Sequence, residues 1–139
     1  MHQQLVNAGY DFDRLRGVSL THSHWDHSSG LDSLDAPIWL SKGGREYAAT
    51  DGDGKVFRTV SPGHEIHEYT FEGPSYLGFT SSVDVYGDGS LVIALAGGHT
   101  TGSVVVFVTV PSGKRYAFMG SDPSMVRCQP MRLLSCRKI

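Results

Sequence analysis

Seven consecutive residues constrain this chain more than any others: Thr21-His22-Ser23-His24-Trp25-Asp26-His27. Three of the chain's 7 histidines fall inside this stretch, with a carboxylate between them. The preceding "GVSL" is a short β-branched run, so the cluster is expected at the end of a strand. Alternation along extended backbone then points His22 and His24 the same way, with Asp26 following if the extension persists. A loop opening after His24 brings His27 to the same pocket. Neutral imidazoles mixed with carboxylate suit zinc, manganese or iron rather than calcium. Three histidines and an aspartate at this spacing read as a metal site and not as solvated loop residues.

The rest of the chain bounds what can surround such a site. At 139 residues it is expected to form one domain with a real core. A formal charge of −2 leaves no broad basic field, so nucleic acid is not an expected partner. No apolar run approaches the roughly 20 residues needed to span a bilayer, so no membrane is expected either. The first residues show no basic region followed by an apolar one. This reads as a cytoplasmic chain, or as one that has lost a leader. Cys128 and Cys136 are too few for a disulfide framework.

Strand and helix signals alternate. Residues 2–9 read as the end of a helix stopped at Gly9. "SSGLDSL" reads as a helix start capped by Ser28 or Ser29. "PIWLS", "KVFRTV", "EIHEYTF" and "SSVDVYG" read as strands, and "KGGREYAAT" as a loop that can include a helical turn. "LVIALA" and "VVVFVTV" have the continuous apolar character of strands buried on both faces. "PSGK" makes a hairpin into "RYAFMG", and "GDGS" at 87–90 is a turn that lacks the spaced oxygens of a calcium loop. The expected division is a domain over 1–122 and an atypical basic tail over 123–139. Four of the 12 basic residues lie in that tail, and no acid does. The tail reads either as a short helix built on Met131, Leu133 and Leu134 or as an altered end.

The cluster resembles the H-x-H-x-D-H signature of the metallo-β-lactamase superfamily. A second element, "GGHTTGS" at 97–103 with His99, is similar to the "GHTxGS" element of that superfamily. "MGSD" ends in Asp122, where relatives carry a Gly-Asp. Taken with the helix-strand lead-in, the match looks most like the branch of glyoxalase II, lactonases and related broad-specificity hydrolases. The resemblance implies an α/β fold: an αββα sandwich of mixed β-sheets with flanking helices, here shortened at both ends. It implies that His22, His24 and His99 hold one metal, that Asp26 and His27 hold another, and that Asp122 bridges them. The cofactor would be zinc, one or two ions per chain, with manganese or iron as alternatives.

Three departures accompany this resemblance. Ser121 separates the glycine from Asp122, no histidine follows His99, and the first strands of relatives have no counterpart. Water, a partner chain, His64 or His67 would have to complete the second metal. His64 and His67 themselves read first as solvated polar residues. Sheet faces left open by a shortened chain favour a homodimer or higher homo-oligomer.

The implied chemistry is hydrolysis by a metal-bound hydroxide, because a divalent cation lowers the pKa of its water toward 7. Asp26 would anchor the second metal and accept a hydrogen bond from the attacking hydroxide. No arginine cluster is placed to clamp a phosphate dianion. The expected partner is a small ester-like substrate, namely a carboxylic ester, lactone or phosphotriester, taken with broad specificity. Trp25, Trp39, Tyr76 and Phe79 are candidates to wall an apolar pocket, or ordinary core residues. Two alternatives stand beside hydrolysis. One is a metal-binding structural remnant with little catalysis, and the other is an iron-dependent oxidoreductase of the same superfamily.

Overall fold

A computed structural model describes residues 2–50, 52 and 54–120. Two sheets organise them. The first is parallel, β1 (Val18–Ser19), β2 (Ile38–Ser41) and β3 (Ile66–Tyr69), in that order. The second is antiparallel, β4 (Ser82–Asp84), β5 (Leu91–Leu95), β6 (Val104–Thr109) and β7 (Arg115–Met119), again in chain order. This is the mixed-sheet α/β sandwich that the motifs implied, with helices alongside.

Parallel neighbours need crossovers. α2 (Trp25–Ser28) lies between β1 and β2, while α3 (Lys42–Ala48) and α4 (Gly54–Val60) lie between β2 and β3. Their shared core is Leu20, Leu31, Ile38, Leu40, Ala48 and Phe57, with Val18, Val60 and Ile66 packed against it. Each fully buried leucine or isoleucine here contributes about 1.5–3 kcal/mol from lost water contact. A second core, Phe79, Val92, Ala94, Val105 and Phe107, covers one face of the antiparallel sheet. Ile93 and Val104, of opposite parity, are also buried. The two long apolar runs are therefore covered on both sides, as their composition implies.

A backbone bond joins the two halves: Val104 N donates to Thr21 O at 2.9 Å. It ties the first residue of β6 to the residue just before His22. A cavity of about 350 Å³ also lies between the sheets, with Trp39 and Tyr69 on one side and Val83 and Leu91 on the other. No helix among the described residues is long and apolar enough to cross a membrane.

Several elements differ from the sequence expectation. Residues 55–60, expected as a strand, form α4. Val56, Phe57 and Val60 also fit a helical stripe, and six residues are too few to separate the two periods. Gly54 lets the helix start close to α3, because a Cβ there would press on the carbonyl of Ala48 at 2.5 Å. The expected loop at 42–50 is instead helix α3, capped by the Ser41 side chain accepting from Gly44 N at 2.9 Å. β1 is shorter than expected, so the histidine cluster occupies loop and helix start and not a strand end. α2 already begins at Trp25, which puts Ser28 within it and Ser29 at its C-terminal end, and neither caps a helix start. The helical signal in α1 (His2–Asn7) and the left-handed Gly9 at φ 72° follow expectation. So does the turn at 87–90, where Asp84 accepts from Gly87 N at 3.0 Å and Gly89 N at 2.8 Å. The tail over 123–139 lies outside the described residues.

Candidate metal centre

Three imidazoles from two distant segments converge. His24 Nδ1 lies 3.1 Å from His22 Nε2 and 2.9 Å from His99 Nε2, across 75 positions of sequence in the second case. Ring nitrogens this close need a proton between each pair or a cation common to all three. Ligands about 2.0–2.1 Å from a tetrahedral zinc stand roughly 3.3 Å from one another, so the donor set fits such an ion. A second group adjoins the first: His22, Asp26 and His27 also present donor atoms within 4.8 Å of one another. His27 Nε2 is 3.5 Å from Asp26 Oδ2. The His22 and His27 rings stand 4.2 Å apart, so the two groups share His22 as their common wall.

Local sequence explains the convergence. His24 caps the start of α2 in an extended conformation, and its carbonyl takes the first helical bonds from His27 N and Ser28 N. The buried Ser28 hydroxyl donates to the same carbonyl at 2.9 Å. The fully buried Ser23 hydroxyl donates to Gly44 O at 3.1 Å, pinning the cluster to α3. On the other side, Ser103 Oγ receives Thr100 N at 3.0 Å and meets Thr100 Oγ1 at 2.9 Å, closing the loop that carries His99. Left-handed Gly97 and Gly98 give that loop its turn, at φ 61° and 90°. Gly102 serves otherwise. A Cβ on it would overlap the backbone of Gly43 and Gly44, so only glycine lets the His99 loop touch the start of α3. Ser41 Oγ seals that contact by donating to Gly102 O at 2.6 Å.

His22 sits deepest, 2% exposed. Its pKa falls from the ordinary 6.5 to about 4, first because burial strips water from the imidazolium. Crowding by His27, His24 and His99 pushes the same way, while Asp26 acts against it. The ring is therefore neutral at physiological pH, with a lone pair free to bind a cation. Thr21 Oγ1 lies 3.3 Å from His22 Nδ1 and 3.4 Å from His27 Nδ1, against the back of both rings. Gly120 passes so close that a Cβ there would overlap Thr21 Oγ1 and the His22 ring.

Of the residues expected from sequence, His22, His24, Asp26, His27 and His99 are thus brought together. Asp122 lies outside the described residues. His64 and His67 do not join: His64 Nδ1 meets Ala36 O at 2.9 Å, and His67 stacks on Trp39 and pairs with Glu65. Of the aromatic candidates, Trp25 alone borders the cluster in sequence, and it is 60% exposed. Phe79 and Tyr76 pack around Phe107 in the second core. Trp39 lines the cavity between the sheets, whose walls include none of the clustered histidines. The sequence reading missed Tyr47, whose hydroxyl oxygen lies 2.9 Å from His24 Nε2.

The family model described as metallo-beta-lactamase superfamily matches residues 2–120. The chain belongs to that superfamily. A curated relative, the metallo-hydrolase mfmC of Annulohypoxylon moriforme, is 27% identical over 115 residues, covering 78% of this chain and 30% of the relative. One similar solved structure is an N-acyl homoserine lactone hydrolase with its product N-hexanoyl-L-homoserine at the catalytic metal centre. It has a TM-score of 0.60 and 18% identity, and the match covers 82% of this chain and 41% of that one. Another is an AiiA variant of B. thuringiensis with N-decanoyl-L-homoserine at the active site. Its TM-score is 0.59 with 19% identity, covering 81% of this chain and 40% of that one. At those identities the two structures speak to the fold. The chain spans about a third of the curated relative's length and about two fifths of either structure's.

Proposed function

We propose that the chain is a metal-dependent hydrolase of ester-like bonds, with zinc as its cofactor at one or two ions per chain. The observation that carries this reading is the meeting of His22, His24 and His99 nitrogens within about 3 Å along the cluster. A divalent cation such as zinc is the usual occupant of a point where several histidine nitrogens converge. His22, His24 and His99 would hold the first ion. Asp26 and His27 would hold a second, with Asp122 between them; Asp122 follows by two positions the Gly120 that lies against His22.

A bound divalent cation supplies an acidified water and polarises the scissile carbonyl or phosphoryl group. The remaining work belongs to side chains. The exposed carboxylate of Asp26, 3.5 Å from His27 Nε2, would accept a hydrogen bond from the attacking water and orient it. Trp25, next to His24 in sequence and 60% exposed, would offer an apolar surface for the acyl or alkyl part of a substrate. No side chain has to act as nucleophile.

A carboxylic ester, a lactone or a phosphotriester suits this arrangement, and the similar N-acyl homoserine lactone hydrolase favours the lactone. The exposure of Trp25 is consistent with a broad substrate range. The test is a panel of activated carboxylic esters, homoserine lactones and phosphotriesters, assayed with zinc and with chelator. Turnover on at least one class, abolished by chelator and restored by zinc, is expected. Chelator-sensitive stability without turnover on any class would replace the hydrolase with a structural metal site. Turnover indifferent to chelator would remove the metal from the account.

A further inference from the structure

We propose that Tyr47 is a positioning residue of the metal centre, one that selects the tautomer of His24. The inference rests on the metal-centre reading above and adds a residue to it. The two nitrogens of the His24 ring face opposite surroundings. Nδ1 looks toward His22 and His99, and Nε2 lies 2.9 Å from the Tyr47 hydroxyl oxygen. A neutral imidazole carries one proton, and the nitrogen that binds a cation must be the bare one. With its Nε2–H donated to Tyr47, His24 leaves the Nδ1 lone pair aimed at the point where the other imidazoles converge. The opposite tautomer would put a proton in the middle of the donor set.

The scaffold is built to hold that contact. Tyr47 stands on α3, half-buried, with its ring 5.3 Å from that of His24 at an interplanar angle of 62°. The same helix is tied to both ligand loops. Ser41, its cap, bonds to Gly102 in the His99 loop, and Gly44 accepts from Ser23, the residue beside His24. α3 therefore sets the distance between the Tyr47 hydroxyl and the imidazole in the same way that it sets the distance between the two loops. A merely space-filling aromatic ring would need no oxygen at this place. Partners behind a metal-bound histidine typically alter metal affinity about 10–100-fold when removed.

The experiment compares the whole chain with its Tyr47→Phe variant, which keeps the ring and removes the oxygen. Zinc affinity is measured by competition with a chromophoric chelator, and the ring protonation of His24 by nitrogen-15 NMR of the zinc-free proteins. Expected are a roughly 10–100-fold weaker zinc affinity in the variant, and a His24 signal that moves from the Nε2–H form toward a mixture of tautomers. The unfolding midpoint of the zinc-free variant, read on the same samples, separates a positioning role from lost packing. Wild-type zinc affinity together with an unchanged His24 tautomer in Tyr47→Phe would overturn the assignment while leaving the metal centre intact. Failure of the unaltered chain to bind zinc would instead bring down the metal-centre reading, and the role of Tyr47 with it.

Discussion

His22 is the residue on which the chemistry and the stability of this chain meet. Its burial keeps the imidazole neutral and ready to bind a cation, and the same burial makes the zinc-free protein acid-sensitive. Between pH 6.5 and about 4 an unfolded His22 takes up a proton that the folded one refuses. The unfolded state therefore binds more protons in that window, so stability rises with pH across it and falls as acid is added. The shift corresponds to a loss on the order of 3 kcal/mol by the bottom of the window. Urea unfolding of the zinc-free protein at several pH values is expected to show this slope, and His22→Asn to flatten it.

His99 makes a complementary point. His99→Ala removes one of the three proposed ligands while leaving the other two in place, so zinc affinity is expected to fall by roughly two orders of magnitude in isothermal titration. At this scale the sequence was highly legible. The positions of His22, His24, Asp26 and His27 are fixed within one short segment, and the metal chemistry of that residue set is independent of fold. His99 was visible only through the resemblance of "GGHTTGS" to the second element of the superfamily. Tyr47 was not visible, because nothing in "REYAA" distinguishes a tyrosine behind a ligand from one in a core; only the path of α3 brings it there.

Among the elements, α3 and the loop before β6 behave as one unit. Ser41 caps the helix and bonds to Gly102 with the same buried hydroxyl. Ser41→Ala is expected to cost about 1–2 kcal/mol in denaturant unfolding, from the lost cap and the stranded Gly102 carbonyl. Gly102→Ala introduces a methyl where the backbone of Gly43 and Gly44 already stands, an overpacking of about 1–3 kcal/mol. It also moves His99 away from His24, so zinc affinity is expected to drop along with stability. An alanine variant that binds zinc as tightly as the parent would show that the close approach does not position the ligand.

The strongly patterned strands β5 and β6 were readable from their apolar runs, and the hairpin turns from their glycines. The segments between β2 and β3 were not. "KVFRTV" has a β-rich composition yet folds as α4, since Phe57 and Val60 complete the parallel-sheet core beside Ala48 only from a helix. A crossover between parallel strands imposed the helix, and no window of six residues carries that information.

In the molecule as a whole, two sheets of different character divide the work. The parallel sheet and its helices carry the first histidines, the antiparallel sheet delivers His99, and the Thr21–Val104 bond joins them. The α/β sandwich itself was legible only through the resemblance of two motifs to the metallo-β-lactamase superfamily, since neither motif dictates a sheet order by itself. Assembly is a separate proposal. β7 ends its sheet among the described residues and shows Phe118 55% exposed, the kind of surface that a second copy covers. Sedimentation is expected to give twice the mass of one chain, and a monomer at micromolar concentration would exclude the homodimer.

The account as a whole depends on a cation held between segments 75 residues apart in sequence. Anomalous diffraction from zinc-soaked crystals tests this most directly. A peak at the zinc edge equidistant from His22 Nε2, His24 Nδ1 and His99 Nε2, with a second peak near Asp26 and His27 if two ions bind, is the expected result. Difference maps without a peak among those three nitrogens, in crystals that carry zinc elsewhere on the chain, would contradict it.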